Sequence, residues 1–458
     1  EEDDDDDDDD DDGSPLTVRT ALLDEKASAA HCIGACAQHT GAVFAPHVQE
    51  VLPSLLAAHD HFHEDVRGAA TRSLAHLVSA AAAAEPAPTW RKGELSQLAQ
   101  TRPQTWALVQ RVCGPLQRRF EDDEDKDTVA AASESIAEIS MLLGPTVMAA
   151  DAQLGKPPFG ADQLVSVAIS LLEQRHPCQQ SADADAEVEE DADHDEALWE
   201  AVVELLTSAP KVLGSYWQPH FERLIPPLLP YMRDAHPSSD HSLAIGIIAE
   251  SISQLDEVAK QYVGQLLPYM LRLSASEDAT CRQNATFGLG VLCLNGQEVA
   301  LASMQAVLEA VQPRLADDEE DIVRDNAVGA LSRIVIAHSH ALPLATILPA
   351  IVHRLPLTAD VLENVAALDC LISSTYDERS RAHMGPLIPP LLSAVAKLLR
   401  AGELPVDAVE RATGFLGWLL QQGKEQLEAM LLALPEEERA PLLSCLTEAS
   451  QRVAVGSE

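Results

Sequence analysis

The feature that most constrains this chain is a recurrence roughly every 41 residues. An apolar pair, a proline and further apolar residues repeat as VLPSLL at Pro53, LIPPLL at Pro226, LLPYML at Pro268, ILPAIV at Pro349 and LIPPLL at Pro389. Between Pro268 and Pro349, AVLEAV supplies the missing copy with Glu309 in the proline's place, so the steps from Pro226 are 42, 41, 40 and 40 residues. A basic residue keeps the same register. Arg67 follows Pro53 by 14 residues, Arg282 follows Pro268 by 14, and Arg324 follows Glu309 by 15. Lys26, 41 residues before Arg67, marks an earlier, truncated copy. Units repeated at this interval cannot bury their apolar faces alone and must stack on one another.

Composition says what each unit is made of. Only 17 residues are aromatic (7 Phe, 5 Trp, 5 Tyr), while Ala and Leu run throughout, a bias that favours helices over sheets. A period near 41 with two amphipathic helices is the mark of HEAT-type repeats. In each hairpin the first helix carries the proline, which bends it or sits in its first turn. Acidic residues and Ser cap the start of the second helix. Ala285, Gly288 and Gly290, and then Ala327, Gly329 and Ala330, allow neighbouring helices to approach closely. The expected fold is all-α: a HEAT-repeat solenoid, a right-handed superhelix of about nine antiparallel hairpins. At 8 to 10 Å between helices, it would make a curved rod roughly 80 to 90 Å long.

The period breaks between Pro53 and Pro226, which lie 173 residues apart. Three steps with insertions account for this distance, and two insertions are visible. One is an Ala/Pro-rich linker near 80–103. The other is an acidic insertion near 176–196, expected to be disordered between helices near 161–175 and 196–213. Residues 1–14 form a separate acidic tract, also expected to be disordered, and 15–458 form the array. The chain starts inside that tract without Met, which suggests part of a longer protein.

Charge narrows the function. There are 73 acidic residues against 31 basic ones, a formal charge of −42, and without the twelve acids that open the chain 31 basic residues still face 61 acidic ones, leaving −30. Direct nucleic-acid binding is disfavoured, because phosphates must meet Lys and Arg. An anionic membrane surface is disfavoured for the same reason, and no apolar run has the length of a membrane helix. A field of this sign attracts basic partners. No glycine-rich nucleotide loop, GxSxG, HExxH or paired CxxC is present, so nothing in the sequence indicates an enzyme, cofactor or metal. The eight scattered cysteines suit free thiols in a reducing compartment. Cys32 and Cys36, flanked by His31 and His39, read as small buried thiols, because His31 and Cys32 diverge by about 100° around a helix. His59 to His63 reads as a polar loop between helices.

What remains is a binding surface, expected on the second helices along the concave side. The acidic clusters are Glu121 to Asp127, the 183–196 insertion, Glu277 with Asp278, and Asp317 to Asp321. Singly, a carboxylate is more often a cap or a solvated charge. Together they offer pairing to Lys and Arg of a basic protein, and Glu277, Asp278, Asp318, Glu319, Glu320 and Asp321 are the candidates taken forward. Asn284 and Asn326 stand two residues after Arg282 and Arg324, and Asn364 lies near the same place in the next unit. Such amides either hold an extended backbone or tie adjacent repeats together, and sequence leaves both readings open. Arg282 and Arg324 read as structural, paired with nearby acids.

The opening acidic tract running into PLTVRTALLDEKASAAHCIGACAQHTGAVFAPHV resembles the acidic loop and following repeat of the karyopherin-β import receptors. RQNATFGLGVL, DIVRDNAVGALSRI, the segment from Leu224 to Met232, and the second acidic loop before DEALWEAVVELL fit the same family. The resemblance covers essentially the whole chain, as the C-terminal part of a receptor. It implies shuttling between cytoplasm and nucleus and binding of basic cargo such as core histones, with or without a histone chaperone, or ribosomal proteins. It also implies contacts with the Ran GTPase and FG nucleoporins through the full-length receptor, with Ran-GTP engaging N-terminal repeats that are absent here. His241 and Ser242 stand where a strongly acidic groove would have carboxylates, which leaves its position open. Two rivals remain: a HEAT scaffold that joins folded partners through apolar interfaces, and an acidic histone-chaperone-like buffer acting through its Asp runs.

Overall fold

A computed structural model of the chain describes residues 15–149, 156–180 and 188–455, and these fold into α-helices and short 3-10 turns with no strand among them. The acidic tract 1–14 and residues 181–187 of the expected insertion lie outside the described residues. The chain divides into two compact units after Leu228.

The first unit contains α1 (Pro15–Thr40), α2 (Val48–His59), α3 (Glu64–Ala84), the single turn α4 (Leu98–Thr101), α5 (Pro103–Asp122), α6 (Lys126–Leu143), α7 (Ala161–Leu172), α8 (Val188–Leu213) and α9 (Gln218–Leu228). The second helices of the hairpins form one layer, in which α1 packs on α3, α3 on α6 and α6 on α8. The first helices α2, α5, α7 and α9 form the other. Four first helices between Pro53 and Pro226 make three steps of the repeat, the count inferred from the visible insertions.

The second unit continues with α10 (Ser238–Gln254), α11 (Val263–Leu273), α12 (Ala279–Leu301), α13 (Met304–Val311), α14 (Asp321–His338), α15 (Leu344–Val352), α16 (Glu363–Tyr376), α17 (Glu378–Met384), α18 (Ile388–Ala401), α19 (Val406–Gln422), α20 (Lys424–Ala433) and α21 (Glu436–Val455). Here α10, α12, α14, α16, α19 and α21 stack in order as the second-helix layer. Each unit is thus a stack of HEAT-type hairpins.

The sequence motif has a direct physical reading. In α11, Leu266, Leu267 and Met270 are buried while Pro268 is exposed, and Pro53 and Pro226 are likewise exposed within α2 and α9. The proline therefore disrupts the backbone bonding of the solvent-facing side, where water satisfies the freed carbonyl. Small residues set the spacing of the second helices. A Cβ on Gly290 of α12 would lie 2.5 Å from the Ala330 Cα of α14, and one on Gly34 of α1 would lie 2.3 Å from the Ser73 Oγ of α3.

Two readings change on the structure. Cys32 and Cys36 are exposed, while the other six cysteines are buried. The reason is geometric: α1 buries Ala30, Gly34 and Ala37 against α3, and the two thiols lie on the opposite face. The helix expected from 196 begins at Val188, so α8 takes in part of the acidic insertion. Helix α3 runs to Ala84, and residues 85–97 cross the ends of neighbouring repeats. There the Trp90 indole donates to the Met141 carbonyl at 2.8 Å, and the Gly93 amide donates to the Val212 carbonyl at 3.0 Å.

Candidate binding surface of the second helices

The repeated arginine organises the starts of α3, α12 and α14. Arg67 donates to the carbonyls of His61 and Phe62 in the loop before α3, and to both carboxylate oxygens of Asp123 in the next hairpin at 3.0 and 2.9 Å. Arg282 does the same in the second unit. It donates to the carbonyls of Ser276 and Glu277, and its Nε and Nη2 reach the Glu319 carboxylate at 3.1 and 2.8 Å. Arg324 donates to the Glu319 carbonyl at 3.0 Å and to the Asp321 carboxylate. The arginine thus closes the loop inside its own hairpin and, at Arg67 and Arg282, also bridges to the next.

This arrangement settles several candidates. Glu319 is consumed inside the fold: its side chain is 8% exposed and accepts from Arg282 and from Arg314, the latter at 2.5 Å. Asp278 accepts from the Cys281 amide at 2.6 Å as the N-cap of α12 and from the Ser242 hydroxyl of α10 at 2.8 Å. Asn284 donates to the Ser242 carbonyl at 3.1 Å. Asn326, 2% exposed, donates to the Asp360 carboxylate at 2.8 Å and to the Ile322 carbonyl at 2.9 Å. Asn364 is fully buried and pairs with both backbone groups of Leu357 at 2.9 Å. The amides form internal ties between repeats or within a turn, the second of the two readings that the sequence leaves open for Asn284 and Asn326. Asn326 is buried and Asn284 half-buried, and an amide spent on neighbouring carbonyls and carboxylates has less left to offer. Glu277, Asp318, Glu320 and Asp321 remain exposed, with Glu320 3.6 Å from Arg282. His241 is engaged too, through its ring nitrogen and the Arg233 carbonyl at 2.8 Å.

A denser acidic feature lies in the first unit. The starts of α3 and α6 and the adjacent turn of α1 enclose an open groove of about 600 Å³, lined by Asp24, Glu64, Asp65, Asp125 and Asp127 together with His31 and Arg72. Arg72 pairs with Glu134 at 3.0 Å, so the one guanidinium lining the groove among the described residues is shared with a sixth acid. Asp125 caps α6 by accepting from the Thr128 amide and hydroxyl at 2.8 and 2.5 Å. Asp65 and Glu64 are both more than half exposed. The acidity continues along the layer to Glu204 of α8. Its carboxyl is held above the usual range by burial and by the charges of Glu134 and Glu138. Like charges at this spacing raise one another's cost of ionisation, and a bound cation relieves it.

The groove was accessible to sequence reasoning by a signal it did not use. Asp24 stands two residues before Lys26 and Asp65 two before Arg67, so the two carboxylates share one register and must fall side by side. Asp127 is the second residue of α6, as Asp65 is of α3. The same register holds Thr280 and Ile322 in the second unit, so this row of carboxylates is not continued there. Chemically the groove suits ammonium or guanidinium groups. Among the described residues no three His, Cys, Asp or Glu side chains are grouped to hold a metal ion.

Comparisons agree with this architecture. No family model matches the chain. Human importin-4 is 27% identical over 441 residues, covering 94% of this chain and 39% of the relative. The probable importin subunit beta-4 of Schizosaccharomyces pombe is 23% identical over 391 residues, covering 82% of this chain and 36% of the relative. The chain therefore spans under two fifths to about two fifths of these relatives. Among solved structures, Kap121p bound to RanGTP superposes with a TM-score of 0.64 at 17% identity, and Kap121p bound to Pho4p with 0.65 at 17%. Each match covers 93% of this chain and 37% of the other. The structural likeness establishes the fold, an all-α HEAT-repeat solenoid.

Proposed function

We propose that this chain, related along nearly its whole length to the importin-4 receptors, is a cargo-binding part of a nuclear import receptor. The observation that carries the reading is the acidic groove of α1, α3 and α6, with five carboxylates around one shared guanidinium. Its ligand is a flexible, lysine-rich segment of a basic protein, such as a core-histone tail or a ribosomal protein. The exposed Glu277, Asp318, Glu320 and Asp321 add weaker sites in the second unit. Long-range attraction speeds the encounter, and a few desolvated Lys–carboxylate contacts fix the register. Ordering a flexible tail costs entropy, so affinity depends on several contacts made together. In the complete receptor, contacts with the Ran GTPase and FG nucleoporins would carry the complex between cytoplasm and nucleus.

The test is fluorescence anisotropy of a labelled lysine-rich histone-tail peptide at two salt concentrations. The chain is compared with a D24K/D65K/D127K variant and with a form lacking residues 1–12 and 183–187. Salt-sensitive binding that survives the deletion and falls at least tenfold in the charge-reversed variant supports the reading. Binding lost with the deleted acids alone makes the chain a simple polyanion, and salt-insensitive binding points to a scaffold.

A further inference from the structure

A second cavity lies in the first unit, apart from the acidic groove. Residues 86–97 pass over the end of α6 and enclose about 580 Å³ with α4, a size typical of ligand sites. Trp90, Leu95 and Leu142 form its apolar wall, and Arg91, Glu94, Thr101 and Arg102 its polar one.

Its electrostatics run against the rest of the molecule. Between residues 86 and 103, Arg91, Lys92 and Arg102 face Glu94 alone, a net positive stretch in a chain of formal charge −42. The Nε of Arg102 is buried without a hydrogen-bond partner, a costly state for a charged donor. Glu85 feels the Arg102 charge, but its carboxylate is already spent on the start of α5. Oε1 accepts from the Gln104 amide at 3.1 Å, and Oε2 from the Thr105 amide and hydroxyl, both at 2.8 Å. Glu94 is largely exposed and stands 3.9 Å from Arg91.

The enclosure is held in place before any ligand arrives. Beyond the Trp90 and Gly93 bonds described above, the Ser96 amide donates to the Thr146 hydroxyl at 2.8 Å. A pre-formed site spends less of its binding energy on ordering.

We propose that this cavity binds a short peptide segment of a partner protein carrying a carboxylate beside an apolar side chain. The guanidinium of Arg102, with Arg91 at the rim, takes the carboxylate in charge-assisted hydrogen bonds. The apolar side chain packs on Trp90, Leu95 and Leu142. The site is independent of the basic-cargo groove, so the molecule would read two ligands of opposite sign.

The probe is a fluorescein-labelled, C-terminally amidated peptide Asp-Asp-Leu-Phe-Leu, titrated with the full chain by anisotropy. Saturable binding is expected, weakened at least tenfold when the two Asp of the peptide become Asn. An R91A/R102Q chain and an A87W chain, whose indole fills the cavity, each lose at least tenfold. The lysine-rich peptide, titrated in parallel, keeps its affinity for both variants, which shows that they are folded and separates this test from that of the import reading. Absence of saturable binding overturns the proposal, and so does binding unchanged in both the R91A/R102Q and A87W chains.

Discussion

At the scale of single residues, the same residue types do opposite work a few ångströms apart. Glu319 joins Arg282 and Arg314 inside the fold, whereas its neighbour Asp318 is open to solvent. Glu319→Gln should therefore destabilise the second unit by about 3 kcal/mol, the scale for breaking a buried pair. Asp318→Asn should change stability by no more than about 0.5 kcal/mol, and urea unfolding of the two variants distinguishes them. In sequence both are members of one DDEED run, and no property of either residue says which turns inward. The same holds for Asn326: its place in the repeat is legible, but its burial depends on how Asp360 approaches from the next hairpin. Histidines give a second residue-scale expectation. His59, at the end of α2, bonds the Thr71 hydroxyl at 2.9 Å. Burial and then the Arg119 charge lower its pKa from 6.5 to about 4. The fold prefers the neutral ring, so the unfolded chain takes up the proton first as pH falls. Its contribution is complete above pH 6.5 and is lost progressively down to about pH 4. Over that window it amounts to roughly 3 kcal/mol. His176 and His220 are lowered by burial in the same direction. Denaturation midpoints measured from pH 7.5 to 4.5 should fall, with a shallower slope in a His59→Gln chain.

At the scale of elements, the hairpins α2–α3 and α11–α12 follow directly from sequence because each is written twice over, in the proline motif and in the arginine that follows it. The second helices are just as legible, since Gly290 stands where adjacent backbones meet. The connection between α3 and α5 is not. Its Ala/Pro-rich composition announces irregular backbone, but nothing in it announces that Trp90 will lie across Gly144 at the end of α6. Gly144 has φ +79°, and a Cβ there would fall 2.4 Å from the Trp90 ring. Gly144→Ala should therefore both strain the backbone and displace the indole, costing at least about 2 kcal/mol. A red shift in tryptophan emission should accompany it and be absent from a W90F/G144A chain. Neither the strain nor the contact is visible locally, because the partners are 54 positions apart.

At the scale of the molecule, charge and repetition have to be read together. A formal charge of −42 selects the sign of the ligand, but only stacking decides where carboxylates accumulate. Asp24, Asp65 and Asp127 come from distant stretches and meet because α1, α3 and α6 are consecutive members of one layer. That shared register also imposes a rule on whatever the groove reads. Packed helices are separated by roughly 8 to 10 Å, and an extended chain advances about 3.3 Å per residue, so one step between helices spans about three residues of ligand. A matching tail therefore carries its lysines at every third position. Of peptides with equal length and charge, the one with lysines at i, i+3 and i+6 should bind most tightly in competition anisotropy, ahead of those spaced by two or four. The selectivity would lie in the cadence of the ligand's charges and not in their number.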